Sequence, residues 1–138
     1  CLTMKYEMSW LIDKRVLFIK LRDELEVEEF RKFMIDLSAM VHDGISPVHA
    51  VVDVRDITSS MHNMNAIGKV FADNRPESKG FTILIGGNPV TRFFVQIFLS
   101  IAKLEVRFVK DMEEGMKVLY RVDVNLPRLT PDPLDIDM

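Results

Sequence analysis

Two apolar stretches and the residues that follow them decide the fold. Residues 48–54 read Val-His-Ala-Val-Val-Asp-Val, and residues 81–89 read Phe-Thr-Ile-Leu-Ile-Gly-Gly-Asn-Pro. Short apolar runs that are bounded by turn residues are typical of strands covered on both faces. In the second stretch, Asn and Pro after the two glycines predict the cap and the first residue of a helix. A strand that leads into a helix is the repeating unit of an α/β fold.

The rest of the chain extends this pattern in both directions. The alternating residues Tyr6–Ile12 and the apolar run Val16–Ile19 flank a polar break, which predicts an antiparallel hairpin. Helical spacing of apolar residues and a short apolar run give the order β-β-α-β-α-β-α-β-α. Strands that alternate with helices imply right-handed crossovers and a mainly parallel sheet. We therefore predict a mixed five-stranded sheet with an N-terminal hairpin, about four helices, and residues 48–54 and 81–85 in its centre. The predicted helices are 26–41, 64–71, 90–103 and 111–122, and the predicted last strand is 106–109.

Length and composition limit the class of protein. The chain has 138 residues, of which 48% are hydrophobic and 28% charged, with a formal net charge of −3. These values predict one globular domain, over residues 1–125, followed by an extended tail over residues 126–138 that contains three prolines. The negative charge argues against a general nucleic-acid-binding surface. Cys1 is the single cysteine, which excludes an internal disulfide and a cysteine-based metal site.

The sequence predicts no membrane span and a cytoplasmic protein. The longest nearly apolar run, residues 93–102, is shorter than the approximately 20 residues that a membrane helix needs. The first residues also lack the apolar region of a secretory signal.

Three stretches carry a resemblance to a known family. They are residues 16–21 followed by 26–30, residues 51–54, and residues 106–115. These stretches, in the predicted order of elements, resemble the STAS fold of anti-sigma-factor antagonists and the related SpoIIAA-like proteins. The resemblance extends from Tyr6 to Val124. The resemblance implies a STAS-like α/β fold and a non-enzymatic regulatory module that binds another protein.

The resemblance also implies where the partner binds. In the family, the contact surface surrounds the loop after the Asp-ending strand and the start of the next helix. Members with a regulatory serine carry Asp-Ser-Ser-Gly there, whereas the matching residues 61–64 read Met-His-Asn-Met. We therefore expect no phosphoserine switch, and the SpoIIAA-like branch is the better match. The predicted partner-binding residues are Asp53, Arg55, Asp56, Thr58, Ser59, Ser60, His62 and Asn63.

Part of this set also permits other chemistry. Asp53, Arg55 and Asp56 follow a central strand, and ligands bind outside such carboxyl ends in open α/β sheets. The alternative is structural, with the two carboxylates accepting hydrogen bonds from loop amides and Arg55 pairing with them. An enzyme that uses Asp53, Asp56 and His62 would lack a nucleophile and a cofactor motif, so we predict no catalytic residue and no cofactor.

Two other groups of residues are expected to be structural. The histidines, His42, His49 and His62, are predicted to be surface or capping residues, because their spacing gives no metal-ligand pattern. Gly86-Gly87-Asn88-Pro89 joins a strand to a helix, and helix N-termini can bind phosphate. The glycine spacing fits no nucleotide-binding motif and no lysine follows, so a tight turn with a helix cap is expected.

The helix predicted at 90–103 is apolar around most of its circumference. A helix on the outside of a sheet should be polar on its outer side. We place Val95 and Leu99 on that outer side and predict a homodimer through it. The alternatives are a small apolar or lipid ligand, as in SEC14-like carriers, and cover by tail residues such as Leu126, Leu129, Leu134 and Ile136. The surface predicted for the dimer or ligand comprises Phe94, Val95, Phe98 and Leu99.

Overall fold

Within the described residues, five strands form one sheet and four helices pack on its two faces. A computed structural model describes residues 6–23, 26–57, 64–74, 80–87, 89–101 and 105–127. The order of elements matches the order that the sequence predicts. They are β1 (Tyr6–Ile12), β2 (Val16–Asp23), α1 (Val27–Asp43), β3 (His49–Ile57), α2 (Met64–Asn74), β4 (Phe81–Ile85), α3 (Pro89–Ile101), β5 (Glu105–Val109) and α4 (Met112–Val122).

The strands lie in the sheet in the order in which they occur in the chain. The order is β1-β2-β3-β4-β5, with β1 antiparallel to β2 and every later pair parallel. Neither β3 nor β4 lies at an edge, which confirms the prediction that residues 48–54 and 81–85 are central. Val16, Leu17 and Ile19 of β2 are also buried, as their uninterrupted apolar run predicts.

Each face of the sheet has its own apolar core. On one face, Phe33 and Met34 of α1 and Val70 of α2 pack with Ile19 and Leu84. On the other face, Leu119 of α4 packs with Val51, Ile83 and Val109, and Leu126 joins this cluster. Leu126 is the first residue of the predicted tail, and yet it belongs to the core. The division of the chain into a domain over residues 1–125 and a tail over residues 126–138 otherwise stays a prediction.

Local sequence signals explain where the elements begin and end. The hairpin turns at residues 13–15, where Lys14 has a φ of 64° and the Arg15 amide donates to the Ile12 carbonyl at 2.9 Å. Asp111 caps α4 by accepting a 2.9 Å hydrogen bond from the Glu114 amide, as its predicted capping position requires. Within the described ranges, no helix has the length and apolar character needed to cross a bilayer.

Candidate functional site: a charged cluster at the carboxyl end of β3

A cluster of four charged side chains lies where β3 ends. The strand runs three residues further than its apolar run, to Ile57, so Asp53, Arg55 and Asp56 all lie on the strand. Lys20 of β2 is in register with Asp53. We call Lys20, Asp53, Arg55 and Asp56 the strand-end cluster. It holds two positive and two negative charges.

Asp53 is the buried centre of the strand-end cluster. Its exposed fraction is 1%, and its carboxylate accepts three hydrogen bonds from Arg55. The Arg55 amide and Nε both donate to Oδ1 at 3.0 Å, and Nη2 donates to Oδ2 at 2.9 Å. A two-pronged guanidinium–carboxylate contact fixes both position and orientation. The Arg55 side chain is nevertheless 50% exposed, so the cluster presents a held guanidinium to solvent.

Lys20 connects the buried carboxylate to an exposed one. Its Nζ lies 3.9 Å from Oδ2 of Asp53 and 3.0 Å from Oδ2 of Asp56. The register between β2 and β3 shifts between Lys20 and Arg22, which brings Arg22 opposite Asp56. Such an irregularity changes the direction of side chains at a strand end. Lys20 is a member of the cluster that the sequence analysis missed, and its only signal is a lysine within an apolar strand.

The turn after β4 supports Arg55 from the side. Gly86 has a φ of 80°, and a Cβ built on it would lie 2.3 Å from Cγ of Arg55. Glycine is therefore needed both for the backbone conformation and for the stem of Arg55. Arg92 of α3 fixes the same turn, because its Nε donates to the Gly86 carbonyl at 3.1 Å and its guanidinium lies over the Phe108 ring. Gly86 and Gly87 both have positive φ values, whereas Asn88, the predicted helix cap, lies outside the described residues.

Electrostatics favour the charged form of every member whose pKa is shifted. Burial by itself would raise the pKa of Asp53, but the Arg55 hydrogen bonds and the charges of Arg55 and Lys20 outweigh burial and lower it. The Asp53 contact in turn raises the pKa of Arg55. A carboxylate held in this way is a poor general base, because its proton affinity is low. The geometry is that of a charged surface in which hydrogen bonds orient Arg55. The predicted pairing of Arg55 with Asp53 is confirmed, whereas Asp56 pairs with Lys20.

The structure describes only part of the predicted partner-binding set. Asp53, Arg55 and Asp56 lie together, as predicted. The other five residues, Thr58, Ser59, Ser60, His62 and Asn63, lie outside the described residues.

The predicted orientation of α3 about its own axis is wrong. Val95 was placed on the side that faces solvent, but it packs against the core beneath α1 and α2. The exposed apolar residues are instead Phe93 at 60% and Ile97 at 37%, which line a shallow depression with Gln96 and Ser100. We call these four residues the α3 outer face. Helical spacing could not distinguish the two sides, because both are apolar. The side chains of Phe94, Phe98 and Leu99 lie outside the described part of the chain.

A second polar cluster lies at the opposite end of the sheet and was not predicted. His49, expected at the surface or in a cap, is 3% exposed. Its Nδ1 accepts a 2.9 Å hydrogen bond from the Phe81 amide, and its Nε2 lies 3.0 Å from Oδ2 of Asp123. Arg15 Nη2 reaches the same carboxylate oxygen at 3.4 Å. The only signal in the sequence is a histidine inside a valine-rich strand.

Comparisons with known proteins identify the fold. No protein-family model matches the chain, and a search of curated proteins gives no match. Among solved structures, the chain is similar to an uncharacterised DUF3478-family protein with a SpoIIAA-like fold from Shewanella loihica PV-4. The TM-score is 0.60 at 18% identity, over 83% of this chain and 91% of that one.

A second solved structure with this similarity is the anti-sigma factor antagonist SpoIIAA in its unphosphorylated form. The TM-score is 0.54 at 13% identity, over 88% of this chain and 99% of that one. The five-stranded mixed sheet, its N-terminal hairpin and its four helices agree with both likenesses. The chain therefore has the SpoIIAA-like α/β fold that its sequence resembles.

Proposed function

We propose that the chain is a non-enzymatic, cytoplasmic regulatory module of STAS type that binds a partner protein through the strand-end cluster. The observation that carries the proposal is the held but half-exposed guanidinium of Arg55. A charged group that a buried carboxylate already orients loses little conformational freedom when a partner binds it. The anti-sigma factor antagonist among the structural neighbours supports the class of function.

The proposed module works without a phosphoserine switch. A phosphate on Ser59 or Ser60 would add a charge of about −1.5 to −2 to a stretch of sequence that already carries Asp53 and Asp56. Arg55, the cation nearest along the chain, is already engaged by Asp53. The partner's surface should therefore complement a mixed pattern of charges, with a carboxylate for Arg55 and a cation for Asp56.

Reversing the exposed charge at Asp56 is expected to weaken partner binding without unfolding the protein. Asp56→Lys places a second cation beside Lys20 and removes the partner's cationic contact. The partner is first recovered from an extract of the source cells by quantitative affinity purification and then purified. With the purified partner, we expect Asp56→Lys to bind with at least a tenfold lower affinity than the wild type.

A matched control is available on α1. Glu28 also pairs with a basic neighbour, Arg31 at 3.4 Å, so Glu28→Lys makes the same change at a carboxylate that is not a member of the cluster. It should recover the same proteins as the wild type. Equal recovery with Asp56→Lys would contradict a partner-binding role for the strand-end cluster.

The α3 outer face supports two more specific proposals, which are a homodimer and the binding of an apolar ligand. Phe93 and Ile97 are one helical turn apart and expose apolar surface that a second copy can cover by symmetry. We expect a dimer at micromolar concentration by light scattering, and Ile97→Asp should make it monomeric. Ile35→Asp, on an exposed isoleucine of α1, is the matched control.

Native mass spectrometry separates the two occupants of this face. A wild-type monomer with an added apolar mass that Ile97→Asp loses would favour the ligand over the dimer. A bare monomer in the wild type would remove both proposals.

A further inference from the structure

We propose that Arg92 of α3 is a positioning residue for Arg55, and that it couples the seating of α3 to the affinity of the strand-end cluster for its partner. The coupling rests on the proposed function, because Arg55 is the group that the cluster offers to a partner. The observation that carries it is a series of contacts from Arg92, through the turn after β4, to the side chain of Arg55.

The turn after β4 depends on outside contacts for its conformation. Gly86 and Gly87 have φ values of 80° and 91°, and glycine has more conformational freedom to lose than any other residue. The Gly86 amide is held by β5, because it donates to the Val109 carbonyl at 3.3 Å. The Gly86 carbonyl belongs to the peptide plane that joins the two glycines, and Arg92 Nε donates to it at 3.1 Å. Arg92 therefore fixes the orientation of that plane.

Arg92 is itself fixed relative to both α3 and β5. It lies in the first turn of α3, which begins at Pro89. Its guanidinium carbon lies 5.5 Å from the centroid of the Phe108 ring, and Phe108 of β5 packs against the core beneath α1 and α2. A planar guanidinium can lie over a ring and donate a hydrogen bond from its edge at the same time. The position of α3 on the sheet is therefore passed to the turn.

The turn meets the stem of Arg55 directly. A Cβ on Gly86 would lie 2.3 Å from Cγ of Arg55 and 3.3 Å from its Cα and Cβ, so the Gly86 backbone packs along the beginning of that side chain. Asp53 holds the other end of the same side chain, at Nε and Nη2. A long side chain has several rotatable bonds, and contacts at both ends leave it few conformations. Without Arg92, the contact at the stem should loosen while the Asp53 contact remains.

A loosened Arg55 should bind a partner less tightly. Half of the Arg55 side chain is exposed, and this is the part that a partner can contact. A group that is already oriented loses less conformational freedom on binding than a mobile one. Because the Asp53 contact is retained, the cluster keeps its charges. The expected loss of affinity therefore comes from the orientation of Arg55.

NMR of the Arg55 side chain in the free protein tests the positioning. The Nε–H of Arg55 donates to Asp53, so its exchange with water reports how firmly the guanidinium is held. Arg55→Lys identifies the signal, because this variant lacks it. In Arg92→Ala we expect the exchange to be about threefold to tenfold faster, within the range for residues that are coupled through a backbone shift.

Two further variants of Arg92 define which part of the side chain acts. Arg92→Lys keeps a donor for the Gly86 carbonyl without the planar guanidinium, so its exchange rate should lie between those of the wild type and Arg92→Ala. Arg92→Met keeps an unbranched stem against Phe108 and removes the donor. It should give the same increase as Arg92→Ala, and it supplies the test if Arg92→Ala does not fold.

Arg107→Ala is the matched control. The Arg107 guanidinium lies over the Phe81 ring at 5.7 Å, so this variant also removes one positive charge and one contact between a cation and a ring. Phe81 begins β4, at the opposite end of the strand from the Gly86 turn. Exchange of the Arg55 Nε–H should stay as in the wild type. An equal response to Arg107→Ala, or unchanged exchange in both Arg92→Ala and Arg92→Met, would overturn the positioning role.

A double-mutant cycle connects the positioning with binding. With the partner purified as described above, Arg92→Ala should lower the affinity by about threefold to tenfold, and it should have no further effect in an Arg55→Ala background. Equal losses in both backgrounds would overturn the coupling, since Arg92 would then act without Arg55. A failure of the proposed function is seen separately. Asp56→Lys would then bind as well as the wild type, while the NMR result would still decide whether Arg92 positions Arg55.

Discussion

Arg55→Ala is expected to lower the free energy of unfolding by about 3 kcal/mol, near the lower end of the range for breaking a buried ion pair. The variant removes two side-chain hydrogen bonds from a carboxylate that is 1% exposed. It keeps the hydrogen bond from the backbone amide of residue 55 and leaves Lys20 at 3.9 Å as the nearest cation. The lower end applies because half of Arg55 is in water and Lys20 remains. Urea denaturation at neutral pH measures the change.

The pH dependence identifies Asp53 as the source of this loss. Because Arg55 and Lys20 lower the pKa of Asp53 in the folded protein, the stabilisation is fully present above its ordinary value, near 3.9. It is lost as the pH falls through the lowered value in the folded state. The difference between Arg55→Ala and the wild type should therefore shrink below about pH 4.

Two further variants separate charge from geometry. Arg55→Lys keeps the charge but not the two-pronged contact, so its loss should lie between those of the wild type and Arg55→Ala. Arg31→Ala breaks an exposed pair on α1 and should cost less than about 0.5 kcal/mol. An Arg55→Ala protein as stable as Arg31→Ala would show that Arg55 does not stabilise the buried carboxylate.

Leu119→Ala is expected to lower the free energy of unfolding by about 2–5 kcal/mol, the range for a buried leucine truncated to alanine. Leu119 is fully buried on α4 and belongs to the core cluster with Val51, Ile83 and Val109. Because α4 is the helix that the described residues place on this face, few neighbours can move to fill the cavity. Urea denaturation measures the loss directly if the slope of the unfolding free energy against urea concentration is the same in the variant and the wild type.

The control for this prediction lies on the same helix. Lys117 is exposed and reaches Glu113 at 3.8 Å, so Lys117→Ala tests helix propensity and surface charge without a change in the core. Its cost should be below about 0.5 kcal/mol. A Leu119→Ala loss below about 1 kcal/mol would mean that α4 contributes little to the core.

The fold could be predicted because its signals are local. The turn at residues 13–15, the valine-rich β3 and the Asp111 cap are each defined by a few neighbouring residues. The facing of α3 could not be predicted in the same way. With apolar residues on both sides, the sequence gives no preferred side, and Val95 rather than Phe93 or Ile97 turned out to pack inward.

The site was predictable to the extent that it follows one strand. Asp53, Arg55 and Asp56 are close in the sequence and lie at the carboxyl end of β3. In open α/β sheets, ligands bind outside such strand ends. Lys20 and the His49–Asp123 pair depend on contacts between distant parts of the chain. Sequence spacing gives no measure of such contacts, since Asp123 lies 74 residues after His49 and 108 after Arg15.

The coincidence of strand order and chain order has a consequence for synthesis on the ribosome. Each strand emerges when the neighbour with which it pairs is already available, so the sheet can grow from β1 towards β5 without waiting for a later strand. The face that carries Val51 and Ile83 is different, because α4 is made after all five strands. A nascent chain that ends before Leu119 therefore exposes this apolar face, and a chaperone should bind there until α4 is released.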